Sequence, residues 1–148
     1  MAIPDIENRE PLIKLEPHSG ISGISVYYPN QKFENGSFID YPFTIQGLGE
    51  EVYVKNTCLI NSYRGMDFSK YPSENHYLHC VNSTPLKTGI VLGNNKKNGW
   101  VENCHFNPHY YRDTNADYSG GNNNDVLTEF LLTNLDEFVL KDNYSEHF

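Results

Sequence analysis

Short strand-like segments recur in this chain at steps of 22 to 24 residues, and that period limits the available folds more than any other feature. The segments VYVKNTCLIN, HYLHCVN and WVENCHFN each hold one cysteine, Cys58, Cys80 and Cys104. A second marker agrees with the first. Gly65-Met66-Asp67-Phe68 returns 24 residues later as Gly89-Ile90-Val91-Leu92. A regular period of this size belongs to stacked repeats, in which each unit buries its apolar face against its neighbours.

The residues inside one repeat choose among the stacked architectures. Helical repeats need apolar residues spaced for a helix over ten or more positions, whereas runs such as Val52-Tyr53-Val54 and Ile90-Val91-Leu92 are short and cut by Asn, Gly and Pro. Leucine-rich repeats need Leu at fixed spacings, which this chain lacks. With 11 Tyr and 8 Phe among 148 residues, strand formers are abundant. The reading is therefore all-β: a solenoid of about four coils, each made of short strands joined by tight bends. It forms one domain over residues 1–148, with 1–11 as a flexible N-terminal segment. Asn56 and Asn103 fall at the bends, where Asn tolerates a left-handed backbone. The first strand is read at Ile21–Tyr28 and the last half-coil at Asp136–Leu140. Two long loops, Pro29 to Pro42 and Asn107 to Asp125, interrupt the period and are expected to build a binding surface. The stretch Asn124 to Leu135 fits a helical turn or a strand.

Charge and hydropathy exclude several partners. The net charge is −8, from 11 Lys and Arg against 19 Asp and Glu, which repels a phosphate backbone, so nucleic acid is not expected. No apolar run is long enough to span a bilayer, and Met1 to Pro11 is polar and acidic without the pattern of a signal peptide. The chain reads as soluble, with no membrane partner and with its location open. The three cysteines are expected to be free, buried thiols.

The stretch Gly20 to Pro108 resembles pectate-lyase-superfamily, glycoside-hydrolase-like parallel β-helix proteins. The likeness rests on ISVYYPNQ at 24–31, YPFTIQG at 41–47, NSYRGMDF at 61–68, PLKTG at 85–89 and VENCHF at 101–106. It implies a single-stranded right-handed parallel β-helix and a polysaccharide or oligosaccharide partner. The chain lacks the paired-aspartate, Gly-His-Gly and Arg-x-Lys motifs of polygalacturonase-like hydrolases and the aspartate cluster that binds calcium in pectate lyases.

Candidate chemistry follows from residue type. Glycoside hydrolysis needs two facing carboxyl groups, and Asp67 and Glu102 lie within repeat segments. A polysaccharide lyase needs a base and a cation beside a uronate carboxylate, for which Arg64 and Lys87 are the right kinds of side chain. The catalytic candidates are thus Asp67, Arg64 and Lys87, and the alternative for them is a surface ion pair. Tyr63, His105, His109, Tyr110 and Tyr111 are the substrate-binding candidates, since aromatic planes stack on sugar rings. Trp100 is read as a cover for the core. His76 and His79 are three apart in a strand and face opposite ways, and no histidine pair has a metal-ligand spacing, so neither metal nor cofactor is expected. Against a lyase or hydrolase stands a non-catalytic module of the same fold, glycan-binding or structural, whose open coil ends invite homo-oligomers.

Overall fold

Short β-branched and aromatic runs cut at intervals by Asn, Gly and acidic residues produce strands of two to eight residues, and two longer ones of 16 and 19 residues that run on through corners. The computed structural model describes residues 9–34, 37–107 and 128–146. The described residues are all-β, and none of their segments is a helix long and apolar enough to cross a membrane.

The strands are β1 (Ile13–Leu15), β2 (Gly20–Ser22), β3 (Ser25–Tyr27), β4 (Phe33–Glu34), β5 (Ser37–Phe38), β6 (Phe43–Gly47), β7 (Tyr53–Phe68), β8 (Tyr77–Asn95), β9 (Gly99–Glu102), β10 (His105–Phe106), β11 (Thr128–Leu135), β12 (Phe138–Lys141) and β13 (Tyr144–Ser145). Among the described residues every strand pairing is parallel and belongs to one large sheet, apart from the antiparallel β4–β5 pair.

Pairing sorts the parallel strands into three ladders. In the first, Ile13, Ile45, Met66, Ile90 and Phe130 are successive partners. In the second, Ile21, Val54, Leu78, Val101 and Leu140 are partners. In the third, strand β3 pairs with Cys58–Ile60, which pairs with Asn82–Ser83, followed by β10 and β13. The chain visits the three ladders in the same order each time. Among the described residues each ladder has five rungs, one more than the four repeats counted in the sequence, because β1–β3 and β11–β13 add rungs whose spacing the long loops disguise. The undecided stretch before Leu135 is strand from Thr128 onward.

Corners recur in register. Two residues before the equivalent positions Gly20, Tyr53, Tyr77, Trp100 and Val139 of the second ladder, His18, Glu51, Asn75, Asn98 and Glu137 all have positive φ. Directly after each rung of that ladder, Gly23, Asn56, Cys80, Asn103 and Asp142 do the same. Asn56 and Asn103 thus hold the left-handed corners expected of them, and backbone bonds such as Gly23 N to Lys55 O (3.1 Å) carry the stacking through the bend. Gly65 and Gly89 mark a place where backbones touch. A Cβ on Gly65 would stand 2.4 Å from the carbonyl oxygen of Gly89.

One core is shared by all three ladders, with Ile45, Val54, Leu59, Met66, Leu78, Ile90, Leu92 and Val101 sealed from solvent. At the last rung the same columns open: Leu132 and Leu140 are 42% and 44% exposed although they pair with the sealed Leu92 and Val101.

The described residues of the excursion, 29–34 and 37–42, form a folded flap. Gln31, fully buried, donates through Nε2 to Ile39 O (3.1 Å) and accepts from Ile39 N (2.8 Å). Phe38 and Tyr41 then pack with Tyr28, Tyr63 and Leu86 in a second apolar cluster. The cysteines are free, with Cys104 buried and the other two half-buried. They do not form a column: Cys80 holds a corner, Cys58 pairs with Asn82, and Cys104 falls in line with Val81.

Candidate functional site

Because side chains alternate along a strand, Val54, Leu78 and Val101 enter the core while the residues on either side of each point outward. On one side the outward partners are Tyr53, Tyr77 and Trp100, and on the other Lys55, His79 and Glu102. Parallel strands lie about 4.8 Å apart, so the three aromatic residues form a continuous stripe along three rungs. Tyr53 is 39% exposed, and Tyr77 and Trp100 are half-buried. Trp100, read from the sequence as a core cover, belongs to this outer stripe.

Neighbouring groups orient the stripe. Lys55 Nζ lies 5.0 Å from the Tyr53 ring centre and 4.8 Å from that of Tyr77. The His79 ring lies nearly parallel to Tyr77, with centroids 5.6 Å apart and planes at 8°. Asn103 Nδ2 donates to His79 Nε2 at 3.2 Å. Burial, reinforced by the adjacent Glu102 carboxylate, raises the pKa of the Tyr77 phenol. The result is a row of aromatic side chains bordered by hydrogen-bonding groups, suited to a ligand with apolar faces and polar edges.

Of the catalytic and substrate-binding candidates within the described residues, Asp67, Arg64, Lys87, Tyr63 and His105 lie off the stripe, whereas Glu102, the second carboxyl candidate, borders it. Asp67 is buried, and its carboxylate accepts from Gln46 Nε2 (3.2 Å), Ser69 N (2.9 Å) and Ser69 Oγ (2.6 Å). That is a structural set of bonds closing the turn after Phe68. Arg64 does not serve Asp67: its Nη1 binds Asp40 and donates to Tyr41 O at 3.1 Å. Tyr63 is 7% exposed, inside the second apolar cluster, with the Arg64 guanidinium 4.9 Å from its ring centre. Lys87 is half-buried in β8, just before the Arg64–Thr88 pair. His105 is half-buried between its ladder partners Asn82 and Tyr144, with Nε2 3.6 Å from Glu146 Oε1. His109, Tyr110 and Tyr111 lie outside the described residues.

His76 and His79 do face opposite ways. His76 sits in the core with its ring 5.2 Å from Phe68, and burial lowers its pKa to about 4. Among the described residues no three His, Cys, Asp or Glu side chains converge as a metal site. Searches of protein-family models, curated proteins and solved structures found no match to this chain. The stripe was missed in the sequence although a signal for it was present: Tyr-Val-Lys, Tyr-Leu-His and Trp-Val-Glu follow one another at steps of 24 and 23 residues.

Proposed function

We propose that the chain is a single-stranded right-handed parallel β-helix that binds polysaccharide along the outer face of its second ladder. The coil is supported by the cyclic order of the three ladders around one core, and the hand by the strong preference of parallel crossovers for the right-handed form. The observation that carries the binding reading is the register of Tyr53, Tyr77 and Trp100 on adjacent rungs. Sugar rings present C–H faces that pack on aromatic planes, and Lys55, His79 and Glu102 beside the stripe are placed to bond their hydroxyl groups. The likeness of Gly20 to Pro108 to pectate-lyase-like β-helix proteins points to the same class of ligand.

Binding without turnover is the better supported form of this reading. Asp67, the sequence candidate for the proton donor, is occupied by Gln46 and Ser69 and so engaged in holding the fold. The exposed Leu132 and Leu140 at the last rung support association of copies through that end.

Affinity electrophoresis through gels containing pectic, uronic or neutral polysaccharide tests the proposal. At least one polysaccharide retards the wild-type chain, and Tyr77→Ala restores free migration. Free migration of folded wild-type protein in every gel contradicts it. Assays of reducing ends and of unsaturated products on the same panel remain blank on this account.

A further inference from the structure

Beyond the aromatic stripe, two cations converge on one carboxylate beside the first ladder. Arg9 Nη1 lies 2.9 Å from Asp40 Oδ2 and donates to Asp40 O at 3.0 Å, while Arg64 Nη1 binds Asp40 Oδ1. Two guanidinium groups facing a single aspartate leave one positive charge in excess. The three side chains, with Pro42 and Phe43, line an open cleft of about 350 Å3.

Arg64 is held in one orientation before any ligand arrives. Its guanidinium carbon lies 4.9 Å from the Tyr63 ring centre, and one nitrogen is fixed by Asp40 and by Tyr41 O. Its Nε and Nη2 meet no acceptor among the described residues. A guanidinium fork matches a planar carboxylate through two parallel bonds, and a pre-positioned fork loses little freedom on binding. Pro42 and Phe43 supply an apolar wall beside it.

We infer that this cleft binds a small planar carboxylate carrying a flat apolar body. Its volume lies near the lower end of ligand pockets, which begin at about 300 Å3, so it suits one ring-sized molecule in place of an extended chain. It is a separate site from the stripe and does not depend on the glycan reading.

Benzoate is the probe, with acetate and sulfate as comparisons, each titrated into the full chain while the arginine Nε–H signals are followed by NMR. Benzoate shifts the Arg64 Nε–H signal saturably, acetate binds more weakly, and Arg64→Lys weakens benzoate by about tenfold or more. Should Arg64→Lys fail to fold, Arg9→Gln replaces it, since Arg9 is exposed, and several-fold weaker benzoate binding is expected there. The inference is overturned if benzoate produces no saturable shift, if the substituted chain binds benzoate as tightly as wild type, or if sulfate binds as well as benzoate.

Discussion

Tyr53 and Tyr77 sit opposite one another on adjacent parallel strands, with the Lys55 ammonium within 5.0 Å of both ring centres. A cation shared by two rings holds both in place, and a partly exposed cation–π contact is worth about 0.5–1 kcal/mol. Lys55→Met keeps the stem and removes the charge. The expected result is a stability loss of about 1 kcal/mol, seen as a lower urea midpoint with an unchanged slope.

The glycine pair sets a limit on side-chain size. Gly65→Ala drives a methyl group into the carbonyl of Gly89, and because both atoms belong to stacked backbone neither can turn aside. A loss of about 2–4 kcal/mol is expected. Gly23 gives the contrast. Its φ is 73° with nothing within 4 Å of an added Cβ, and Asn56 and Asn103 hold the equivalent corner on other rungs. Gly23→Asn is therefore expected to change thermal stability by less than about 0.5 kcal/mol.

Removing the Asp67 carboxylate separates structure from function. Asp67→Ala leaves the buried Gln46 amide without this acceptor and releases Ser69, so stability falls by about 1–3 kcal/mol. Glycan retention at a temperature where the variant is folded stays at the wild-type level. Loss of retention there would place Asp67 in the binding surface.

His76 makes the fold sensitive to acid. Burial favours its neutral form, so the folded-state pKa of about 4 lies below the ordinary 6.5. The unfolded chain takes up the proton first. Stability from this group is complete above pH 6.5 and is lost as pH falls from 6.5 towards 4, by about 3 kcal/mol in all. Urea unfolding at a series of pH values checks this: His76→Phe removes most of the slope in that window.

The repeat was legible because equal steps put like residues into the same ladder position, as with Met66 and Ile90 or Phe68 and Leu92. The cysteines gave the right period and a misleading alignment. Register places Cys80 with the corner residues Asn56 and Asn103, so aligning it on Cys58 shifts the segment by two positions and hides the match of Tyr53 to Tyr77 and Trp100. Asp67 shows a second limit. Its partner Gln46 lies on the previous rung of the same ladder, 21 residues back. Arg64 meets Asp40 in a flap whose length follows no period. Such partners are set by how an irregular loop folds back, and spacing alone carries no record of it.

The most direct test of the binding account uses the single tryptophan of the chain, since Trp100 lies in the stripe itself. Its emission is recorded while oligosaccharides released from the retarding polysaccharide are added, to wild type and to Tyr77→Ala. The account predicts a saturable change in the wild-type chain that is weakened by about tenfold or more in the variant, in line with the loss of one aromatic contact. Emission that stays constant at oligosaccharide concentrations where the wild-type chain is retained, or a response that Tyr77→Ala leaves untouched, would contradict it.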